Sequence, residues 1–355
     1  MYAWRLHKVN DIRLEEIENP TPGKGEVLLV VKAVGICGSD IPRIYQNGAH
    51  VMPLTPGHEF SGQVVALGEE VDSAWLGKAV GAFPLMPCNT CLSCKKGYYE
   101  MCSNYNYLGS RTDGAFAEYV VAPVSNLVAL PEGVTYEQAA MLEPMAVAIH
   151  AMRKVSIKES DWIVVCGLGA IGQFLVMFLQ NRGFKNILAI GNKDFQLQQV
   201  LKAGIPGNQC FDSRTGKVKE WIIEKTGGVG ADVYFEAVGR NDTIEQAVDS
   251  IAPGGSICLI GNPFSDLSMD KMIYWKVLKY QMKLFGTWNS SFFPGPTTEA
   301  FGTSDWEYVI DLLAKKEIAP ENYISHRLPL KDLEKGLHIM RDKTEDFCKV
   351  MVVME

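Results

Sequence analysis

Three groups of residues in this chain have the types and spacing to do chemistry. In the stretch GICGSDIPRIYQNGAHVMPLTPGHEFSG, Cys37 is followed by the pair His58-Glu59. Thiolate, imidazole and carboxylate are the side-chain ligands that a zinc ion takes. Gly35, Gly38, Gly57 and Gly62 bracket them and predict tight turns that bring the segments together. A buried cysteine and a hydrogen-bonded core histidine are the plain alternative. The second group, PCNTCLSCKKGYYEMC, spaces Cys88, Cys91, Cys94 and Cys102 as C-x2-C-x2-C-x7-C. Four thiolates so close complete a closed tetrahedral zinc shell, which holds a lobe in shape and leaves no position for a reactant. An iron–sulfur cluster is the competing metal for the same ligands, and a nucleic-acid-binding zinc ribbon the competing role.

The third group is GLGAIG, where Gly167, Gly169 and Gly172, with Ala170 and Ile171 between them, fill G-x-G-x-x-G. It follows the apolar run Trp162–Cys166 and precedes the apolar stretch Gln173–Asn181, the strand–turn–helix context that a dinucleotide fingerprint needs. The pyrophosphate of such a cofactor rests on backbone N–H groups at the helix start. Where the next strand, Ile187–Ile190, ends, an NAD site places an acid for the ribose hydroxyls. Here Gly191 holds that place, followed by Asn192 and Lys193. A small residue beside a cation suits a 2′-phosphate and favours NADP(H); Asp194 as a displaced acid keeps NAD(H) open.

These groups need elements to position them. Up to about Leu130 short apolar runs such as Val27–Val34 and Gln63–Leu67 alternate with glycine and proline turns, which predicts an all-β region. MLEPMAVAIH predicts a helix start with Glu143 in its first turn, where a carboxylate is favoured and stands as a further candidate metal ligand. From Asp161 the pattern changes to strand and helix in alternation. The runs Gln209–Phe211, Asp232–Glu236, Ser256–Ile260 and Lys283–Thr287 complete a six-stranded, doubly wound parallel sheet of the Rossmann kind. The expected division is a first domain over 1–150, completed by about 316–355, and a dinucleotide-binding domain over 151–315. Lys349–Met354 reads as a strand rejoining the first. An apolar edge strand near Ser256–Ile260 or Lys283–Thr287 suits sheet extension across a two-fold axis, hence a homodimer or homotetramer.

Composition sets bounds. A 355-residue chain with 47% hydrophobic and 21% charged residues fits a two-domain globular protein. A formal net charge of −7 argues against nucleic-acid or anionic-membrane partners, while a local cationic pocket still admits an anionic small molecule. No secretory signal or bilayer-length apolar run is present in these residues, and nine cysteines, four of them clustered, favour metal binding in a reducing cytoplasm.

The GHE pair, the four-cysteine lobe, the EP carboxylate and GLGAIG, in this order, resemble the zinc-dependent medium-chain dehydrogenase/reductase family of alcohol and sorbitol dehydrogenases. CGSDIPRIYQNGAH, PGHEFSG and GSRTDGAFAEY resemble the branch that acts on polyol phosphates of the galactitol 1-phosphate type. The resemblance implies a mainly β GroES-like catalytic domain with a structural zinc lobe, joined to a Rossmann domain. It implies Cys37, His58 and Glu143 as ligands of a catalytic zinc, with Glu59 able to exchange in, and Cys88, Cys91, Cys94 and Cys102 on a structural zinc. The implied reaction is oxidation of a secondary alcohol, with zinc as Lewis acid and hydride passing to the nicotinamide. Ser39 is then the first step of a proton relay, Asp40 a loop anchor, and Arg43 and His50 the candidates for the substrate's polar groups. Members of this branch usually carry Asp where Gly191 stands, so their NAD preference does not carry over. An unphosphorylated polyol or threonine would leave every motif intact. A zinc-stabilised binding module is the alternative from another class.

Overall fold

A computed structural model describes residues 1–263 and 265–354. The chain forms two compact units, 1–146 with 290–355, and 147–289.

The first unit is built on a seven-stranded sheet. Ile324–Leu328, Lys349–Val353, Glu26–Ile36, Glu59–Leu67, Ala79–Ala82 and Leu127–Ala129 lie side by side in that order, and Tyr119–Pro123 also pairs with Glu26–Ile36. The central strand, EVLLVVKAVGI, turns alternate side chains to opposite faces. Val27, Leu29 and Val31 enter a core with Phe60, Val64, Val80, Phe116, Val350 and Val352. The register matters for the site: Gly35 pairs with Glu59 on one side and Met351 on the other. The strand expected at Gln63–Leu67 therefore begins at Glu59, and the terminal strand joins this sheet as the sequence suggested.

The second unit is a six-stranded sheet, parallel throughout. Its order is Cys210–Asp212, Ile187–Gly191, Ile163–Cys166, Ala231–Glu236, Ile251–Leu259 and Lys283–Gly286. In chain order this is 3-2-1-4-5-6, the doubly wound arrangement whose ligands bind at the carboxyl ends of the strands. Helices Ala170–Asn181, Asp194–Lys202, Val218–Lys225, Asn241–Ser250 and Lys271–Lys279 separate the strands.

Two expectations change. Residues 290–315 were expected in the dinucleotide-binding domain but belong to the first unit. Aromatic packing draws them there: Phe292 stacks on Phe83 with centroids 4.8 Å apart, and the buried Trp306 meets Phe83 edge-on at 5.5 Å. Each such pair is worth about 0.5–1.5 kcal/mol beyond the area it buries. The run Ser256–Ile260 is no edge, because it lies in a strand paired on both sides; Lys283–Gly286 alone ends that flank of the sheet.

Candidate active site and metal centres

Cys37 leaves the central strand just after Ile36, and His58-Glu59 open the neighbouring one. Their donor atoms, with the Cys37 thiol, lie within 4.8 Å of one another. That spacing lets one ion with bonds of about 2.0–2.3 Å reach all three. The surroundings fit a cation. His58 and Glu59 are buried, and burial first, then the charge of Glu59, pushes the Glu143 carboxyl up to about 7 against the opposing pull of His58 and Lys349. Two buried carboxylates beside a thiol repel one another's ionisation, and a metal ion relieves that repulsion.

Glu143 is in the first turn of Leu142–Arg153, as expected, with its carboxylate accepting from the Tyr107 hydroxyl at 3.2 Å. It stands outside the close triad of Cys37, His58 and Glu59. Tyr107 also sets its ring edge-on to His58, centroids 5.8 Å apart.

Asp40 is fully buried and does more than anchor a loop. It accepts the Cys37 N–H at 3.0 Å and Arg43 Nη1 at 2.5 Å, and its Oδ1 lies 3.4 Å from His58 Nδ1. Burial alone would raise its pKa; His58, Arg43 and the Cys37 N–H together hold it low. With Nδ1 facing a carboxylate, Nε2 is the His58 nitrogen left to offer to an ion. Ser39 donates its hydroxyl to Cys37 Sγ at 3.2 Å. Arg43 and His50 do not join the metal cluster; they line a pocket of 360 Å³ with residues that include Tyr105 and Arg111.

One participant was missed. Lys349 is buried and ion-paired with Glu59, and its ammonium lies 3.4 Å from the Ile36 carbonyl. The pair meets over the bare Cα of Gly35, where a Cβ would collide with both side chains. The available signal was a single lysine opening an otherwise apolar strand, KVMVV. Tyr107 gave no such signal.

The four cysteines form the second cluster, their sulfurs all within 4.8 Å. Cys91 and Cys102 sulfurs are 3.9 Å apart, close to the edge of a tetrahedron with Zn–S bonds of about 2.3 Å. Backbone N–H groups of Cys94 and Ser103 bring the Cys91 thiol down to about 5, whereas burial and neighbouring sulfurs push Cys94 up to about 12. Four thiolates coexist there only with a cation among them. Among the described residues no disulfide forms, and all nine cysteines are free.

In the second unit Gly167 turns the chain with φ of 97°, and Gly169 precedes the helix beginning at Ala170. A Cβ at Gly169 would meet nothing within 4 Å, which leaves the helix N-terminus open to a phosphate, while one at Gly172 would strike the Gly167 carbonyl. Ile171 is in the first turn of that helix, and Gln173 clamps the turn by donating to the Leu168 carbonyl at 3.0 Å. Gly191 ends its strand, with Asn192 and Lys193 leading into the helix that starts at Asp194. Arg214 pairs with both Asp194 and Asp212, so the alternative ribose acid already has a cationic partner.

A doubly wound unit with an open glycine turn, in one chain with a β unit carrying one mixed and one all-sulfur donor cluster, defines a metal-dependent dehydrogenase. The alcohol dehydrogenase GroES-like domain matches residues 23–132 and the zinc-binding dehydrogenase domain residues 170–315, and the chain belongs to the zinc-dependent medium-chain dehydrogenase/reductase family. It is 34% identical over 307 residues to galactitol 1-phosphate 5-dehydrogenase of Escherichia coli strain K12, covering 85% of each chain. It is 31% identical over 340 residues to a sorbitol dehydrogenase of Halalkalibacterium halodurans, covering 94% of each. The crystal structure of galactitol-1-phosphate dehydrogenase from Escherichia coli superposes with a TM-score of 0.89 at 30% identity, covering 99% of this chain and 100% of that one. The protein is thus a zinc-dependent alcohol or polyol dehydrogenase using a nicotinamide cofactor. Among the described residues no helix is long and apolar enough to cross a membrane.

Proposed function

We propose that the protein interconverts a secondary alcohol of a polyol phosphate, of the galactitol 1-phosphate kind, and the corresponding keto sugar phosphate, with NADP(H) preferred. The observation that carries this reading is the donor set of half-buried Cys37 and buried His58 and Glu59, with Arg43 connected to it through Asp40. Similarity to the galactitol 1-phosphate enzyme supports the substrate class. An unphosphorylated polyol is the second reading, supported by the sorbitol dehydrogenase relative.

In this reading Cys37, His58 and Glu143 hold the catalytic zinc, with Glu59 able to replace one ligand. A bound zinc supplies Lewis acidity that lowers the pKa of the alcohol, and the nicotinamide takes the hydride. The chain's own work is to orient and to move a proton. Asp40 fixes the His58 ring, and Tyr107 steers the Glu143 carboxylate. Ser39 takes the proton of the substrate hydroxyl and passes it on. The turn Gly167–Gly172 binds the cofactor's pyrophosphate, and Gly191, Asn192 and Lys193 receive the 2′-phosphate. The four cysteines hold a structural zinc. Four clustered cysteines reserved for a metal support a reducing cytoplasm. The edge strand Lys283–Gly286, with exposed Tyr274, Trp275 and Leu278 on helix Lys271–Lys279, supports a homodimer or homotetramer.

The test is a matrix of NAD⁺ and NADP⁺ against galactitol 1-phosphate, galactitol, sorbitol and threonine, run on zinc-loaded protein. Turnover confined to the phosphorylated polyol and faster with NADP⁺ is the expected result; activity on a free polyol alone removes the substrate assignment. Gly191→Asp is one arm. Its Cβ would come within 2.9 Å of Leu168 Cδ1, so that buried side chain must shift to admit it. The new carboxylate then repels a 2′-phosphate and accepts from ribose hydroxyls, so the NADP⁺/NAD⁺ ratio of kcat/KM should fall roughly tenfold or more.

The lobe gives a separate prediction. Cys94→Ser should lower bound zinc from two ions per chain to one and speed amide exchange within residues 85–107. Retention of two ions would remove the four-cysteine site from the assignment.

A further inference from the structure

We propose that Arg111, together with Arg43 and His50, forms the receptor for the phosphate of the substrate, and that Arg111 is its discriminating member. The inference rests on the reading of the substrate as a polyol phosphate and extends it to a site and a residue.

Two chain segments build the pocket, one carrying Arg43 and His50 and the other Tyr105, Ser110 and Arg111. Three potentially cationic side chains converge there in a protein of net charge −7, so the local field opposes that of the molecule as a whole. The two arginines are not equivalent. Arg43 Nη1 is committed to Asp40 at 2.5 Å, and Asp40 in turn faces His58. Arg43 is therefore part of the support of a metal ligand and has only its remaining N–H groups to offer. Arg111 pairs with no carboxylate among the described residues. Its guanidinium lies over the Tyr105 ring, 4.2 Å from the centroid, and one N–H is donated to the Tyr105 carbonyl at 3.1 Å. Stacking of this kind fixes the planar fork before an anion arrives, which reduces the ordering cost of binding. A guanidinium held flat, with N–H groups left over and no carboxylate, is suited to a phosphomonoester dianion.

Both walls of the pocket connect to the metal cluster. On one wall Arg43 is one residue removed from His58 through Asp40. On the other, Tyr105 meets Tyr107 at a centroid distance of 6.0 Å, and Tyr107 meets His58 at 5.8 Å. The Arg111 wall is thereby joined to the His58 site through two aromatic contacts, and the Arg43 wall through Asp40.

The experiment compares wild type, Arg111→Gln and Arg111→Lys as full-length, zinc-loaded protein. It measures kcat/KM for galactitol 1-phosphate and galactitol, and the inhibition constant and calorimetric binding of inorganic phosphate. Arg111→Gln should lower the ratio of kcat/KM between the phosphorylated and plain polyol roughly tenfold to a hundredfold, as expected for a lost charge-assisted hydrogen-bonded pair. Phosphate should bind more weakly by a similar factor, and Arg111→Lys should recover part of both. The ratio is insensitive to a partly inactive preparation, and zinc content checks the fold. If wild type prefers the phosphorylated polyol and Arg111→Gln leaves the ratio and phosphate binding intact, the receptor is overturned while the substrate reading stands. If wild type shows no such preference yet binds phosphate through Arg111, the substrate reading falls and the anion receptor stands.

Discussion

His58→Ala should lower kcat/KM by roughly three orders of magnitude or more, with loss of one zinc per chain and retention of the other. The imidazole is buried, belongs to the mixed cluster, and has the Asp40 carboxylate 3.4 Å from its Nδ1. Removing it leaves the Cys37 thiol with the carboxylates of Glu59 and Glu143, a set without its imidazole in which Glu59 is already tied to Lys349, so an ion there should be lost to a chelator. The Asp40 charge would keep Arg43 as partner, so the protein should still fold. Asp40→Asn is the graded companion. It keeps the ligand but gives up the carboxylate that fixes the ring and pairs with Arg43, and loss of such a supporting group typically costs about 10- to 100-fold in metal affinity or activity. Metal analysis beside steady-state kinetics decides the matter. A His58→Ala protein that retains two zinc ions would remove His58 from the ligand set, whatever its activity.

The donor clusters were readable in the sequence because each is local. Cys88 to Cys102 is one loop, Gly167 to Gly172 one turn, and Cys37 and His58 adjoin the ends of two neighbouring strands joined by one excursion. Period-2 burial in Glu26–Ile36 and strand–helix alternation after Asp161 likewise depend only on near neighbours. What escaped depends on distant ones. Residues 290–315 join the first unit because Phe292 and Trp306 find Phe83, more than two hundred residues earlier. Arg111 follows the cysteine lobe in sequence, yet its pocket is completed by Arg43 and His50. Glu143 was rightly placed in a first turn, but that turn does not say how near its carboxylate comes to Cys37. Sequence patterns report which face of an element is buried; they do not report which side chain is met across a sheet.

Lys349 is the clearest case of such a meeting, and Lys349→Met should be among the most destabilising single changes in the first unit. Lys349 and Glu59 are 290 residues apart, and both are almost wholly buried. The sheet brings them together: Gly35 has the Glu59 strand on one flank and the Lys349 strand on the other, with no side chain between. Burial alone would lower the Lys349 pKa; Glu59, Cys37 and Glu143 hold it raised, so the ammonium persists. Methionine fills the same channel without a charge and leaves the buried Glu59 without its cationic partner. Breaking a buried pair from one side costs about 3–5 kcal/mol, less whatever Glu59 recovers by protonation or by turning to a metal ion. A loss of that size should lower Tm by roughly 5–15 °C. The double variant Lys349→Met with Glu59→Gln removes both charges, and most of the lost stability should return, since replacing both partners of a buried pair is often close to neutral. If the two single variants simply add, the pair is not coupled and the proposed origin of the cost is wrong. The metal site supplies an independent reading. With its ammonium partner gone, Glu59 is free to turn to the ion, and the visible spectrum of cobalt-substituted Lys349→Met should change while the all-sulfur site stays as it was. Lys349 would then do two things at once: hold the terminal strand's contribution to the core together, and keep a neighbouring carboxylate from competing for the metal.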